Sequence, residues 1–163
     1  MYALGRAATG FGIGRIYNIQ NVHGGHGGNV LIGDSRGNIL IGGTGKNQLF
    51  AGSGLSVLIG GKGNTTLAGA GDDLIIGGFT AYDNNVEALM SIFAEWQSAD
   101  SYAVRLQDLR LGGGANGTNT LSLGFTVYAV GQADRLTGHG AANWFFAGAF
   151  DKITDLQPGE AVN

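Results

Sequence analysis

Between Gly24 and Gly78 the chain alternates short glycine-rich polar runs with apolar triplets, and it does so on a fixed beat. The segments read GGHGGNVLI, GDSRGNILI, GGTGKNQLF, AGSGLSVLI, GGKGNTTLA and a shortened GAGDDLII. Leu31, Leu40, Leu49, Leu58 and Leu67 recur every nine residues, and Ile75 follows after eight, as if one residue were deleted near Ala68 to Ala70. Three or four apolar residues between glycine turns are too few for a helix, so each segment reads as a tight turn followed by a short strand. One such row cannot bury its own face, whereas stacked rows can. The fold class expected is mainly β: a parallel β-solenoid, or β-roll, of nine-residue rows over 24–78 with its leucine column inside.

The beat stops after Gly78 and a different one begins. Val86, Leu89, Met90, Phe93 and Trp96, then Tyr102, Leu106 and Leu109, recur at three- and four-residue spacing and predict an amphipathic helical insert over 79–114. Asn84 with Glu87 is the expected amino-terminal capping box, Asp100 the expected cap of a second helix, and Gly112 to Gly114 the stop. From Thr120 alternation returns in TLSLGFTVYAV, followed by ADRLTG and HGAANWFFAGAFDKITDL. The division expected is lead-in strands and a cap over 1–23, the rows over 24–78, the helical insert over 79–114, and a second, shorter run of rows with a carboxy-terminal cap over 115–163.

Composition sharpens this picture. The 163 residues include 32 glycines and one proline, with 13% charged and 44% hydrophobic residues, so glycine serves turn geometry here rather than a disordered linker. A net charge of -3 with scattered Lys and Arg argues against nucleic acid as a partner. No stretch approaches 18 consecutive apolar residues, so no membrane span is expected. The absence of cysteine removes disulfides and thiol chemistry. No nucleophile elbow, H-E-x-x-H helix or complete phosphate loop occurs, and His23, His26 and His139 read as exposed spacers in glycine turns. The chain is therefore not expected to be an enzyme, and its opening pattern suggests the carboxy-terminal piece of a longer protein.

The rows resemble the nonapeptide G-G-x-G-x-D-x-U-x of the RTX, or haemolysin-type calcium-binding, family. The stretch from GDDLIIGG through EWQSADSYAVRL to LTG and NWFFAG is similar to a terminal segment of very large bacterial surface proteins. The first resemblance implies that successive rows alternate between two sheets. It also implies calcium held by aspartates at the sixth position of each row, and secretion through a type I channel to the cell surface or beyond.

At that sixth position this chain carries Asn29, Asn38, Asn47, Ser56, Thr65 and Asp73. Asp134, Asn143 and Asp151 occupy it in the later rows, with Asp72 and Asp34 as neighbours. The asparagine amides either coordinate calcium weakly or hold turn geometry and hydrogen-bond along the stack. The candidate metal ligands are thus Asp73, Asp72, Asp34, Asn38, Asn47, Asn29, Asp134 and Asp151, with calcium as the cofactor at few sites and the first five rows largely independent of it.

With alternating sheets, Ile39 with Ile41, Val57 with Ile59, and Leu74 with Ile76 form an outward aliphatic face that something must cover. The helical insert is one candidate and a second copy of the chain is the other. The functional expectation is a non-catalytic extracellular structural or adhesion module with weak or residual calcium binding, joined to upstream domains or self-associating through that face. The alternatives are the carboxy-terminal tail of a secreted hydrolase and a subunit of a self-assembling surface filament.

Overall fold

The computed structural model describes residues 5–6, 20–140 and 142–163, so most of the lead-in segment expected over 1–23 lies outside the described residues. Within that segment are β1 (Gly5–Arg6) and β2 (Asn21–His23). Six short strands follow: β3 (Val30–Ile32), β4 (Ile39–Ile41), β5 (Asn47–Phe50), β6 (Val57–Ile59), β7 (Thr65–Ala68) and β8 (Leu74–Ile76). Next come β9 (Phe79–Thr80), the helices α1 (Val86–Trp96) and α2 (Tyr102–Leu111), and β10 (Val127–Tyr128). The chain ends with β11 (Arg135–Thr137), β12 (Trp144–Phe146), β13 (Lys152–Ile153) and β14 (Ala161–Val162).

The protein is mainly β, with two parallel sheets. The first runs β1-β2-β4-β6-β8-β12-β14 and the second β3-β5-β7-β11-β13. From β2 to β8, consecutive strands therefore enter opposite sheets, and each pairs with the strand two places away. The register aligns like with like: Leu31 with Leu49 and Leu49 with Leu67 in the second sheet, Leu40 with Leu58 and Leu58 with Ile75 in the first. The missing residue before Ile75 is absorbed in the turn, so strand pairing is unbroken.

β11 takes the place beside β7 and β12 the place beside β8, continuing both sheets rather than starting a separate unit. Everything from β9 to β10 is looped out between β8 and β11. The alternating segment at Thr120 contributes only β10, which pairs antiparallel with β9. Its remainder folds into a tight turn, in which the Ser122 carbonyl accepts from the N–H groups of Phe125, Thr126 and Val127.

Two apolar clusters result. Between the sheets lie Leu31, Leu40, Leu49, Leu58, Leu67, Ile75, Leu136 and Phe145. On the outer side of the first sheet, Ile39, Ile41, Val57, Ile59, Leu74, Ile76, Trp144 and Phe146 pack against Leu89, Ile92, Phe93, Trp96, Leu106 and Leu109 of the helices. The aliphatic face is thus covered by α1 and α2. Trp96 pins them down: its Nε1–H donates to the Asp72 carbonyl at 3.1 Å, and its ring lies 6.4 Å from that of Trp144.

Both helix caps differ from the sequence expectation by one residue. Asn85 caps α1 by accepting from the Ala88 N–H, because Asn84 still belongs to the turn that Thr80 and Asp83 close. Ser101 caps α2 by accepting from the Val104 N–H, while the Asp100 carboxylate accepts from the Ser98 hydroxyl. Gly112, at φ 85, ends α2.

The outer side of the second sheet is open, with Val30 61% and Ile32 73% exposed. Leu58→Ala should therefore destabilise the chain by about 2–5 kcal/mol, and Ile32→Ala by less than about 0.5 kcal/mol. Urea denaturation measures both, and similar costs would contradict this placement of the two faces.

Candidate functional site

The residues at the sixth position of each row come together as two internal columns, one at each edge where the chain crosses between sheets. Asn29, Asn38, Asn47, Ser56, Thr65, Asp73, Asp134 and Asn143 are all buried. A buried backbone N–H needs an acceptor, and these side chains supply it from the next turn in the stack. At the first-sheet edge, the Asn38 N–H donates to Ser56 Oγ at 3.1 Å, the Ser56 N–H to Asp73 Oδ1 at 2.7 Å, and the Asp73 N–H to Asn143 Oδ1 at 2.7 Å. At the second-sheet edge the Asn29 N–H donates to Asn47 Oδ1 at 3.1 Å, the Thr65 N–H to Asp134 Oδ1 at 2.6 Å, and the Asp134 N–H to Asp151 Oδ1 at 2.9 Å. Asn47 departs from the pattern, since its own N–H goes to the Asn64 carbonyl.

Several of these side chains also bond the backbone of their own turn, which is oriented to suit them. Asn29 Nδ2 donates to the carbonyls of Gly25 and Gly27, and Asn47 Nδ2 to that of Gly45. Asp73 Oδ2 instead accepts from the N–H groups of Ala70 and Gly71, and Asp151 Oδ2 from that of Gly148. Asn29 and Asn47 thus meet inward carbonyls and Asp73 and Asp151 inward N–H groups, whereas Asn38 Oδ1 accepts from the Asp34 N–H of its own turn at 2.6 Å and its Nδ2 donates to the Gln20 carbonyl. The turns stack closely enough to require glycine at Gly43 and Gly61, both at φ 90: a Cβ would lie 2.4 Å from the Gly25 carbonyl oxygen and 2.0 Å from that of Gly43, respectively.

Of the eight candidate ligands, Asn29, Asn38, Asn47, Asp73, Asp134 and Asp151 lie in the columns. Asp72 and Asp34 lie beside them: Asp72 Oδ1 accepts from the Ala142 N–H, and Asp34 forms an ion pair with Arg36 at 2.9 Å. That ion pair and the Arg36 N–H hold the Asp34 carboxyl below its usual range. The side chain of Asn143, aligned with the columns in the sequence, accepts as the others do, and its Nδ2 donates to Glu160 Oε1 at 2.6 Å.

Glu160 was not among the expected ligands. Its signal is Gly159 ahead of the short apolar pair Ala161 and Val162, a further turn and strand of the same kind. Glu95, Asp100 and Asp108 form a second acidic group, between the helices, whose oxygens lie within 4.8 Å of one another. No spacing rule in the sequence joins those three.

Burial raises the carboxyls of Asp73 and Asp134 to about 6, and the nearby Asp151 adds to the shift at Asp134. Asp134 is distinctive, because its Oδ2 is buried with no partner. It stands where the segment looped out between β8 and β11 rejoins the sheets, and it has no own-turn N–H bond like those of Asp73 and Asp151. Among the described residues, no helix is long and apolar enough to cross a membrane.

A raised folded-state pKa means that the folded chain binds a proton that the unfolded chain releases, between the ordinary carboxylate range and about 6. In chelator, the melting temperature should therefore rise as pH falls from about 7 to about 5. Asp134→Asn, which keeps Oδ1 for the Thr65 N–H, should reduce that rise, and a flat or falling profile in the parent chain would contradict the assignment. Asn47→Asp would set an anionic oxygen against the Gly45 and Gly60 carbonyls and should cost about 1–3 kcal/mol in urea denaturation at neutral pH. No family model matches the chain, and neither a curated protein nor a solved structure was found to match it.

Proposed function

We propose that this chain is a non-catalytic structural module of an extracellular surface or adhesive protein, built as a parallel β-roll of nine-residue rows of the RTX type. The observation that carries the reading is the pairing register, in which strands two rows apart align leucine on leucine through both sheets. Such an arrangement makes a stiff body whose length grows with row number, which suits a spacer or terminal cap in a surface protein. The column side chains support a structural role, because they serve as acceptors and donors for the backbone of neighbouring turns. Export through a type I channel to the cell surface belongs to the same reading and rests on the resemblance of the rows.

Calcium takes a reduced part in this proposal. A cation in the rows needs carboxylate oxygens that are not already engaged. Asp134 Oδ2 is such an oxygen, next to Asp151. Residual row binding is therefore assigned to the Asp134 and Asp151 turns, and the amide rows from Asn29 to Asn47 stand without it. The open face bearing Val30 and Ile32 is available for contact with neighbouring domains of a longer protein.

Circular dichroism in excess chelator at 25 °C tests the proposal. The folded β spectrum should persist, with calcium changing the melting temperature but not the presence of the fold. Loss of the folded spectrum on chelation would mean that the rows depend on calcium, and the reading would fail.

A further inference from the structure

The helices that cover the first sheet carry an acidic group that serves neither column. Glu95 closes α1, Asp100 lies in the link between the helices, and Asp108 lies in α2. One oxygen from each falls within 4.8 Å of the other two. Glu95 is only 1% exposed. Its Oε2 accepts from the Ala115 N–H at 2.6 Å, while its Oε1 is buried with no hydrogen-bond partner. Among the described residues the ion pairs join Arg36 to Asp34 and His139 to Asp155, and none reaches these three carboxylates. Arg105 of α2 donates from Nη1 to the Trp96 carbonyl, with its guanidinium 4.9 Å over the Trp96 ring and its Nε buried without a partner, and it forms no ion pair with the three.

Three carboxylates this close repel one another unless a positive charge stands among them. We infer that Glu95, Asp100 and Asp108 form a binding site for a hard divalent cation of the calcium class, separate from the rows and independent of how the rows bind calcium. An all-oxygen set selects hard cations over those that prefer thiolate or imidazole. Calcium's oxygen shell is about 5 Å across, so three oxygens within 4.8 Å can share one ion. Magnesium's shell, about 4 Å across and strictly octahedral, fits the spread less well.

The loop after α2 closes over the group. A Cβ on Gly114 would lie 2.1 Å from Glu95 Oε2 and 2.8 Å from Asp108 Oδ2, so a side chain there would push the carboxylates aside. Two residues on, Asn116 also has a buried Oδ1 without a partner. The ion thus ties together the end of α1, the link, α2 and this loop, and it fastens the helical cover on the sheet.

Calorimetric titration of the chelator-stripped full chain with calcium chloride, and in parallel with magnesium chloride, tests the site. Asp100→Asn changes an exposed side chain and Asp108→Asn a partly exposed one, and circular dichroism checks that both variants fold; Asp134→Asn is the control for the rows. Saturable calcium binding is expected, one equivalent of which weakens on the order of tenfold or more in each helix variant and survives in Asp134→Asn. Calcium should also raise the melting temperature less in Asp100→Asn than in the parent chain. The inference is overturned if the stripped parent binds no calcium saturably, if both helix variants leave the isotherm unchanged, or if magnesium binds more tightly. Loss of binding in Asp134→Asn alone would also overturn it while leaving the row assignment standing.

Discussion

For Asn29, Asn38, Ser56, Thr65, Asp73 and Asp134 the backbone N–H is buried at the corner between two sheets and is not taken up by a carbonyl, as that of Asn47 is by Asn64. An acceptor must come from the stacked turn, at the single position whose side chain points inward. That requirement explains why Asn, Ser, Asp and Thr occupy this position and why leucine follows two residues later. The polar side chain satisfies the corner and the leucine fills the space between the sheets, so each row contributes one of each to a neighbour. A buried donor left unpaired costs about as much as several buried methylenes gain. The columns are therefore as necessary to the stack as its apolar core.

The same requirement explains how amides and carboxylates can both stand along the columns. An asparagine offers an acceptor to the N–H of the previous turn and a donor to its own turn, provided that its own turn presents carbonyls. The turns at Gly25 to Gly27 and at Gly45 do so, whereas those at Ala70 to Gly71 and at Gly148 present N–H groups to aspartate. What the turn presents thus sets the match at these rows, and Asn38, whose Oδ1 accepts from the Asp34 N–H, shows an amide in a turn of the second kind. At Asp134, where a long segment leaves and rejoins the stack, one carboxylate oxygen loses its complement.

The two sheets have unlike outer faces, and the insert follows from that difference. The first sheet presents branched aliphatic residues, which pack under Leu89, Ile92, Phe93 and Trp96. The second sheet presents Gln48, Thr66 and Arg135 beside Val30 and Ile32, and among the described residues no helix lies on it. Because β11 and β12 resume their places beside β7 and β8, the insert adds a layer without interrupting either sheet. The helices meet through Trp96, which contacts Tyr102 and Arg105, and their packing on the sheet brings Glu95, Asp100 and Asp108 together.

Much of this was legible in the residues. The leucine beat located the strands from Val30 to Ile76, the three- and four-residue spacing located both helices, and the polar position before each strand located the columns. Less was legible where local pattern and distant packing disagree: TLSLGFTVYAV alternates like a strand yet forms mainly a turn, and both caps moved by one residue. The sequence by itself determined the strand positions, the inward column and the inward leucine, because these follow from local periodicity and turn chemistry. Only the tertiary structure decided which polar atom meets which, and it left Asp134 Oδ2 and Glu95 Oε1 unpartnered and brought three carboxylates together between the helices. Those contacts join residues on separate turns and helices, and their distances depend on how the elements stack.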